Sequence, residues 1–245
     1  MAMDAVILLT GGLDSTVLTY YAGGEYNLKG IFLYYSFPVQ AKEIELARTL
    51  AKTRDFNLKV IDFSSYYKSF ELHPISSMQY TIRYQPVIEI LASLSAYSGV
   101  NTLLLGLLKH EDERLLPSKN EIEKSLKIKA ITPFSKMEKY EVIKIGESLG
   151  VDFSKTWSCI VSGKLHCGCC MPCRDRKRAF KKAGIKDPTT YFFTQDPEYL
   201  DKEAKDRIKF YESYLKPFLK STGEYSNDFI ENFLEIEKPY TNDGT

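Results

Sequence analysis

The sequence predicts an α/β protein: a Rossmann-like, doubly wound parallel sheet with helices on both faces, followed by a small C-terminal helical subdomain. Three observations lead there. Continuous apolar runs alternate with helical patterns up to residue 150, a glycine-rich turn joins the first run to the first helix, and beyond Gly150 the strand signals stop while cysteines accumulate. Alternating strands and helices of these lengths build a parallel sheet whose crossovers cover both faces.

Ala5–Leu9 is apolar throughout rather than alternating, as a strand buried on both faces requires. A helical pattern runs from Asp14 through Tyr21, and Ile31–Tyr35 forms the second buried run. Ala41–Thr53 carries Ile44, Leu46, Ala47, Leu50 and Ala51, consistent with one helix face, and Leu58–Phe63 reads as the third strand. After an irregular loop at Ser64–Ser77, Pro86–Tyr97 is expected to be a helix opening on a proline. Thr102–Leu107 is the fourth strand, Asn120–Lys127 a helix and Ala130–Thr132 the fifth strand. Lys139–Leu149 is a helix ending at Gly150, a residue suited to a left-handed terminus. Beyond it, Arg174–Ala183 reads as a basic helix whose Arg174, Arg176, Lys177 and Arg178 form a solvated face or, alternatively, border an anionic ligand, and Tyr199–Leu219 and Asn227–Leu234 read as surface helices. The expected division is an α/β domain at 1–150, a four-cysteine subdomain at 151–190 and a helical tail at 191–245.

Thirty-three Lys and Arg against thirty-two Asp and Glu leave a formal charge of +1, too little to gather nucleic acid through its phosphates. The apolar runs fall far short of the roughly 20 residues that span a bilayer. The first run leads straight into glycines, unlike a signal peptide. A cytoplasmic protein with no nucleic acid or membrane partner is expected. The Tyr and Phe of the tail hint at packing against a second copy in a homodimer.

Leu9-Thr10-Gly11-Gly12-Leu13-Asp14-Ser15-Thr16 lies where the first strand turns into its helix. In open parallel sheets ligands bind outside the carboxyl ends of the strands. Glycines admit close approach of an anion, and helix-start N–H groups and the helix dipole favour negative charge. Ser15 and Thr16 add hydroxyls. No Gly-Lys-Ser/Thr follows, so the loop is not a Walker A motif, and no third glycine completes a dinucleotide fingerprint.

Five cysteines is an odd number, which suits a metal site in a reducing compartment better than a disulfide framework. Cys159, Cys167, Cys170 and Cys173 are spaced so that four thiolates can close a tetrahedron, the donor set of a structural zinc. Cys169 is the spare and an alternative to Cys170. An iron–sulfur cluster uses the same ligands and is not separated from zinc by spacing. His166, beside a finished four-thiolate set, reads as a surface residue.

Gly-Gly-x-Asp-Ser-Thr resembles the signature of the PP-loop ATP pyrophosphatases, of the adenine nucleotide α hydrolase-like class, with Thr10 standing where a serine is usual. The chain is also similar to the 7-cyano-7-deazaguanine synthases. Thr156-Trp157-Ser158-Cys159, Cys167-Gly168-Cys169-Cys170-Met171-Pro172-Cys173-Arg174, Ala179–Gly184, Asp187-Pro188, Thr132-Pro133-Phe134 and Lys139–Ile143 carry the likeness. It implies that 1–150 binds ATP with Mg2+ and that residues 9–16 hold the β and γ phosphates as leaving pyrophosphate. A carboxylate is then adenylated, ammonia displaces AMP to give an amide, and a second adenylation leads to the nitrile. Lys139 is the candidate to stabilise the α phosphate, acting with Asp14 and Ser15. Arg83 stands where the family has an arginine before a helix.

Two segments depart from the family. Tyr35–Gln40 replaces a Gly-Gln-Arg-like stretch, and Glu111–Lys119 replaces a Ser-Gly-Tyr-Pro-Asp-Cys-Arg stretch that contacts the deazaguanine. Three functions follow in order: making 7-cyano-7-deazaguanine from 7-carboxy-7-deazaguanine, ammonia and ATP; adenylating another small-molecule or protein carboxylate, as in a conjugation or antiphage defence system; and nucleotide-binding regulation without catalysis. Intact Gly11, Gly12, Asp14 and Ser15 speak against the third.

Overall fold

A computed structural model describes residues 2–36, 38–65, 99–109, 120, 123, 124 and 126–236. Its strands are β1 (Met3–Leu8), β2 (Tyr26–Tyr34), β3 (Asn57–Asp62), β4 (Thr102–Leu104) and β5 (Lys129–Ile131). They form one sheet in the order β3-β2-β1-β4-β5, with every pairing parallel. The chain leaves β1 toward β2 on one side and later returns to its other side with β4. The carboxyl end of β1 therefore sits at the reversal of strand order, where a crevice opens.

Alternation along β1 sorts two cores. Ala5, Ile7 and Leu9 pack with Val17 and Leu18 of α1 (Leu13–Ala22) and with Phe134, Val142 and Phe180, whereas Val6 packs with Ile31, Leu33, Leu103 and the cysteines. Both cores draw residues from either side of Gly150. β2 begins earlier than its apolar run. Asn27 and Lys29 donate to Asp4 at 2.7 and 2.6 Å, so polar cross-strand pairs extend the ladder where hydropathy is silent. α2 (Gln40–Thr53) leads to β3.

β4 stops at Leu104, short of the expected Leu107. Gly106 then passes so close to α1 that an added Cβ would lie 3.2 Å from the Asp14 carbonyl oxygen. α3 (Lys139–Ser148) starts with the Glu138 N–H donating to the Glu141 carboxylate at 2.8 Å and ends at Gly150, whose φ of 72° is left-handed. The helix expected at Pro86–Tyr97 lies outside the described residues, as do Glu111–Lys119 and most of Ser64–Ser77. Residues 120, 123, 124 and 126 of the helix expected at Asn120–Lys127 are helical.

α4 (Met171–Ala183) carries Cys173 and the basic stretch, and α5 (Pro197–Glu203), α6 (Arg207–Phe210), a π turn at Tyr211–Leu215, α7 (Lys216–Thr222) and α8 (Asn227–Ile236) follow. The π turn precedes Pro217, which has no N–H for the Ser213 carbonyl. Two expectations fail here. The tail helices are not simple surface elements: Phe210, Tyr211, Phe218 and Leu219 are buried in the core that covers the Val6 face of the sheet. Phe210, Tyr211, Tyr214 and Phe218 of the tail pack within the chain, while Tyr199 stays exposed. Nor do all the basic residues of α4 face solvent: Arg176 is completely buried, whereas Lys181 and Lys182 stay exposed.

Candidate active site and cysteine cluster

The glycine loop is held by its own side chains. Thr10 Oγ1 and Ser15 Oγ lie 3.1 Å apart, the Gly12 N–H reaches Thr10 Oγ1 at 3.3 Å, and the hydroxyls of Ser15 and Thr16 donate to the Gly12 carbonyl at 3.2 and 2.8 Å. Gly11 takes φ 66°, and an added Cβ would sit 2.4 Å from the Glu43 carbonyl oxygen, so only glycine fits between the loop and α2. Leu9 and Leu13 are buried, and the Leu9 N–H donates to the Ile31 carbonyl at 2.9 Å. Asp14 opens α1 and accepts from Lys139 Nζ at 2.9 Å across 125 residues of chain. Its other oxygen, Oδ1, is buried without a hydrogen-bond donor among the described residues, an acceptor that a cation or a ligand donor can satisfy. Glu43, in the first turn of α2, is half-buried, and burial pushes its carboxyl up to about 8.

Beside Lys139 a groove of about 540 Å³ runs between α3 and α4. Lys109, Lys139, Arg178 and Lys182 line it against Glu138 and Asp175, an excess of positive charge. Lys182 pairs with Glu138 across the groove, and Arg178 with Asp175 and Asp201. Arg83 and Arg114 lie outside the described residues.

Cys159, Cys167, Cys170 and Cys173 bring four buried sulfurs within 4.8 Å of one another. The Val161 and Cys167 N–H groups donate to Cys159 Sγ at 3.4 and 3.3 Å, and the Cys170 N–H to Cys167 Sγ at 3.3 Å. Such donors stabilise thiolates. Burial, reinforced by the neighbouring sulfurs, pushes the Cys159 and Cys173 thiols well up, because several negative charges cannot share this volume without a cation. The four-cysteine group therefore fits a metal ion. Cys169 is buried outside the group, its carbonyl accepting from Arg174 Nη1 at 2.6 Å.

His166 is not a surface residue. It is buried, stacks on Trp157 with ring centroids 4.1 Å apart, and accepts the Ser158 N–H at Nε2. Burial and then the Arg176 charge press its pKa down to about 3, so the ring is neutral. Arg176 is the residue that sequence reasoning missed. Its guanidinium donates to Thr156 Oγ1 at 2.6 Å, to Phe153 O at 2.9 Å and to Asp187 at 3.2 Å. The signal was its place in the stripe Cys173, Arg176, Phe180, which repeats at i, i+3, i+7.

A family model described as "Queuosine biosynthesis protein QueC" matches residues 4–107 and 109–184. The chain belongs to the QueC family. The match spans the glycine loop, Lys139 and all four clustered cysteines of this QueC-family protein, and it ends near the close of α4. "7-Cyano-7-deazaguanine synthase 1" of Sulfurisphaera tokodaii is 30% identical over 204 residues, covering 77% of this chain and 98% of that protein. A 7-cyano-7-deazaguanine synthase of Caldicellulosiruptor bescii is 28% identical over 219 residues, covering 77% of this chain and 97% of that protein. Among solved structures, NMN synthetase from Francisella tularensis is similar at 16% identity and a TM-score of 0.48, over 85% of this chain and 87% of that one. Among the described residues no helix of the QueC-family chain is long and apolar enough to cross a membrane.

Proposed function

We propose that this QueC-family chain is an ATP-dependent C–N ligase that converts 7-carboxy-7-deazaguanine and ammonia to 7-cyano-7-deazaguanine. The observation that carries the reading is the glycine loop at the sheet's strand-order reversal, with Lys139 salt-bridged to Asp14 at its edge. The amides of residues 10–16 bind the β and γ phosphates, and Thr10 and Ser15 exchange their mutual hydrogen bond for the anion. Lys139 places positive charge where negative charge develops on the α phosphate in the transition state. The substrate carboxylate attacks the α phosphorus and pyrophosphate leaves; ammonia then displaces AMP to form the amide. A second ATP adenylates the amide oxygen, and loss of AMP with the amide protons gives the nitrile.

The cysteines hold a structural zinc in this reading. A tetrahedral ion with bonds of ~2.3 Å sets sulfurs roughly 3.8 Å apart. The Cys167–Cys173 and Cys159–Cys170 sulfur separations are 3.9 and 4.0 Å, which favours one ion over a cluster whose irons would spread the thiolates.

The test incubates pure protein with ATP, ammonium and 7-carboxy-7-deazaguanine, following AMP and product mass. Nitrile product with AMP release is expected. A second reading, the same adenylation on another carboxylate, draws on Gln40: its amide is occupied by the Tyr35 N–H at 2.7 Å and the Leu33 carbonyl at 2.9 Å, in the segment where the chain departs from the family. ATP binding with neither amide nor nitrile formed selects that reading. Elemental analysis of protein kept reduced should find one zinc per chain, and none would overturn the four-cysteine assignment.

A further inference from the structure

Residues 156–159 form a strap between the cysteine cluster and the glycine loop, held to several parts of the molecule. Cys159 belongs to the four-sulfur group. The Ser158 N–H donates to the buried His166 at 3.1 Å, and the Ser158 hydroxyl accepts from Arg176 Nη1 at 3.3 Å. The Trp157 N–H donates to the Gly11 carbonyl at 2.9 Å. Thr156, 1% exposed, donates its hydroxyl to Phe153 O and accepts from Arg176 Nη1 at 2.6 Å.

The contact with Gly11 governs an amide of the loop. In a trans peptide the carbonyl of one residue and the N–H of the next point in opposite directions. Pinning the Gly11 oxygen to Trp157 therefore aims the Gly12 N–H away from the strap. Two adjacent glycines sample many orientations when nothing holds them. The strap restrains the carbonyl of this peptide while Thr10 Oγ1 accepts its N–H at 3.3 Å, so that freedom is reduced before any ligand arrives.

Arg176 holds the strap. Its side chain is 0% exposed and paired with Asp187, itself fixed by the Tyr191 hydroxyl at 2.6 Å and the Thr189 N–H at 3.0 Å. Burying a guanidinium in this way adds little net stability, since desolvation offsets the attraction. What it supplies is direction: a planar fork whose nitrogens reach Thr156, Ser158, Phe153 and Asp187 at once, which a lysine cannot reproduce.

We propose that Arg176, acting through Thr156, is a positioning residue for nucleotide: it holds the strap whose Trp157 amide presets the Gly11–Gly12 peptide for the pyrophosphate of ATP. The inference rests on the loop binding ATP, as proposed above.

The experiment compares wild type, Thr156→Val, Thr156→Ser and Arg176→Lys in the full chain, with zinc content measured for each. Calorimetry reads the affinity for a non-hydrolysable ATP analogue with magnesium, and separately for AMP, which lacks the pyrophosphate. Thr156→Val is expected to weaken the analogue roughly tenfold, the scale of one lost hydrogen bond to a charged group. AMP affinity and zinc content should stay at wild-type levels, and Thr156→Ser should restore analogue binding. If the valine variant does not fold, Arg176→Lys is read against the same expectation. Wild type binding the analogue while the variant binds it equally well, or a variant losing AMP and analogue alike, overturns the inference alone. A wild type that binds no analogue overturns the ATP reading and takes the inference with it.

Discussion

Two cations of this molecule, Lys139 and Arg176, stand at opposite ends of what a buried or half-buried charge can do. Lys139 keeps 29% of its side chain exposed, holds Asp14 and faces an open groove. Arg176 has no exposure and its donors are distributed over Thr156, Ser158, Phe153 and Asp187. A charge enclosed on all sides orients the chain, whereas a charge at the edge of a groove lies within reach of a ligand. The comparison teaches that residue type does not assign the role; the surrounding partners do.

The largest expected effect comes from Arg176→Met. It removes the cationic partner of Asp187 and the donor to the Thr156 hydroxyl, and a loss of about 3–5 kcal/mol is expected by urea denaturation, as when one partner of a buried pair is removed. A stable, zinc-containing Arg176→Met protein would break the comparison from its structural side. Lys139→Met should do the reverse. Turnover is expected to fall about 10²–10³-fold, the cost of losing one transition-state charge partner, while the Tm scarcely moves. Full turnover would remove Lys139 from the mechanism.

Glu43 sharpens the contrast with a charge that appears on titration. Its folded pKa, raised by burial to about 8, lies above the unfolded value. The stability it contributes is therefore present at low pH and lost as pH rises through 8. The same ionisation puts a carboxylate into α2 where its backbone abuts Gly11, so affinity for an ATP analogue should decline between pH 7 and 9. Glu43→Gln should flatten that decline; an unchanged profile would assign it to another group. The smallest effect is expected at Lys181 on the same helix as Arg176. Lys181 reaches Asp196 at 3.1 Å with 64% of its side chain exposed, and Lys181→Gln should leave the Tm unchanged within error.

The legible parts of the molecule were local in sequence. Ala5–Leu9 could be read as a buried strand because its apolar residues are contiguous, and the glycine loop because its residues lie side by side directly after it. The cysteines could be read together because three of the four fall within seven residues. What escaped depended on distant contacts. Nothing near Arg176 in sequence announces Thr156, twenty residues before it, and nothing around Asn27 and Lys29 reveals Asp4 across the ladder. The burial of His166 and of Phe210, Tyr211 and Phe218 is hidden from the sequence for the same reason: polarity and helical pattern describe a segment, but burial is decided by what packs upon it.

By itself the sequence determined the alternating architecture, the anion-ready turn and the thiol donors, because period, glycine content and ligand spacing act over a few residues. Tertiary structure alone decided that the Gly11 carbonyl is held by Trp157, that Lys139 meets Asp14, and that a guanidinium is enclosed between the cysteine helix and the strap. Those relations join residues far apart in the chain, and only the folded sheet and its two cores bring them within hydrogen-bonding distance.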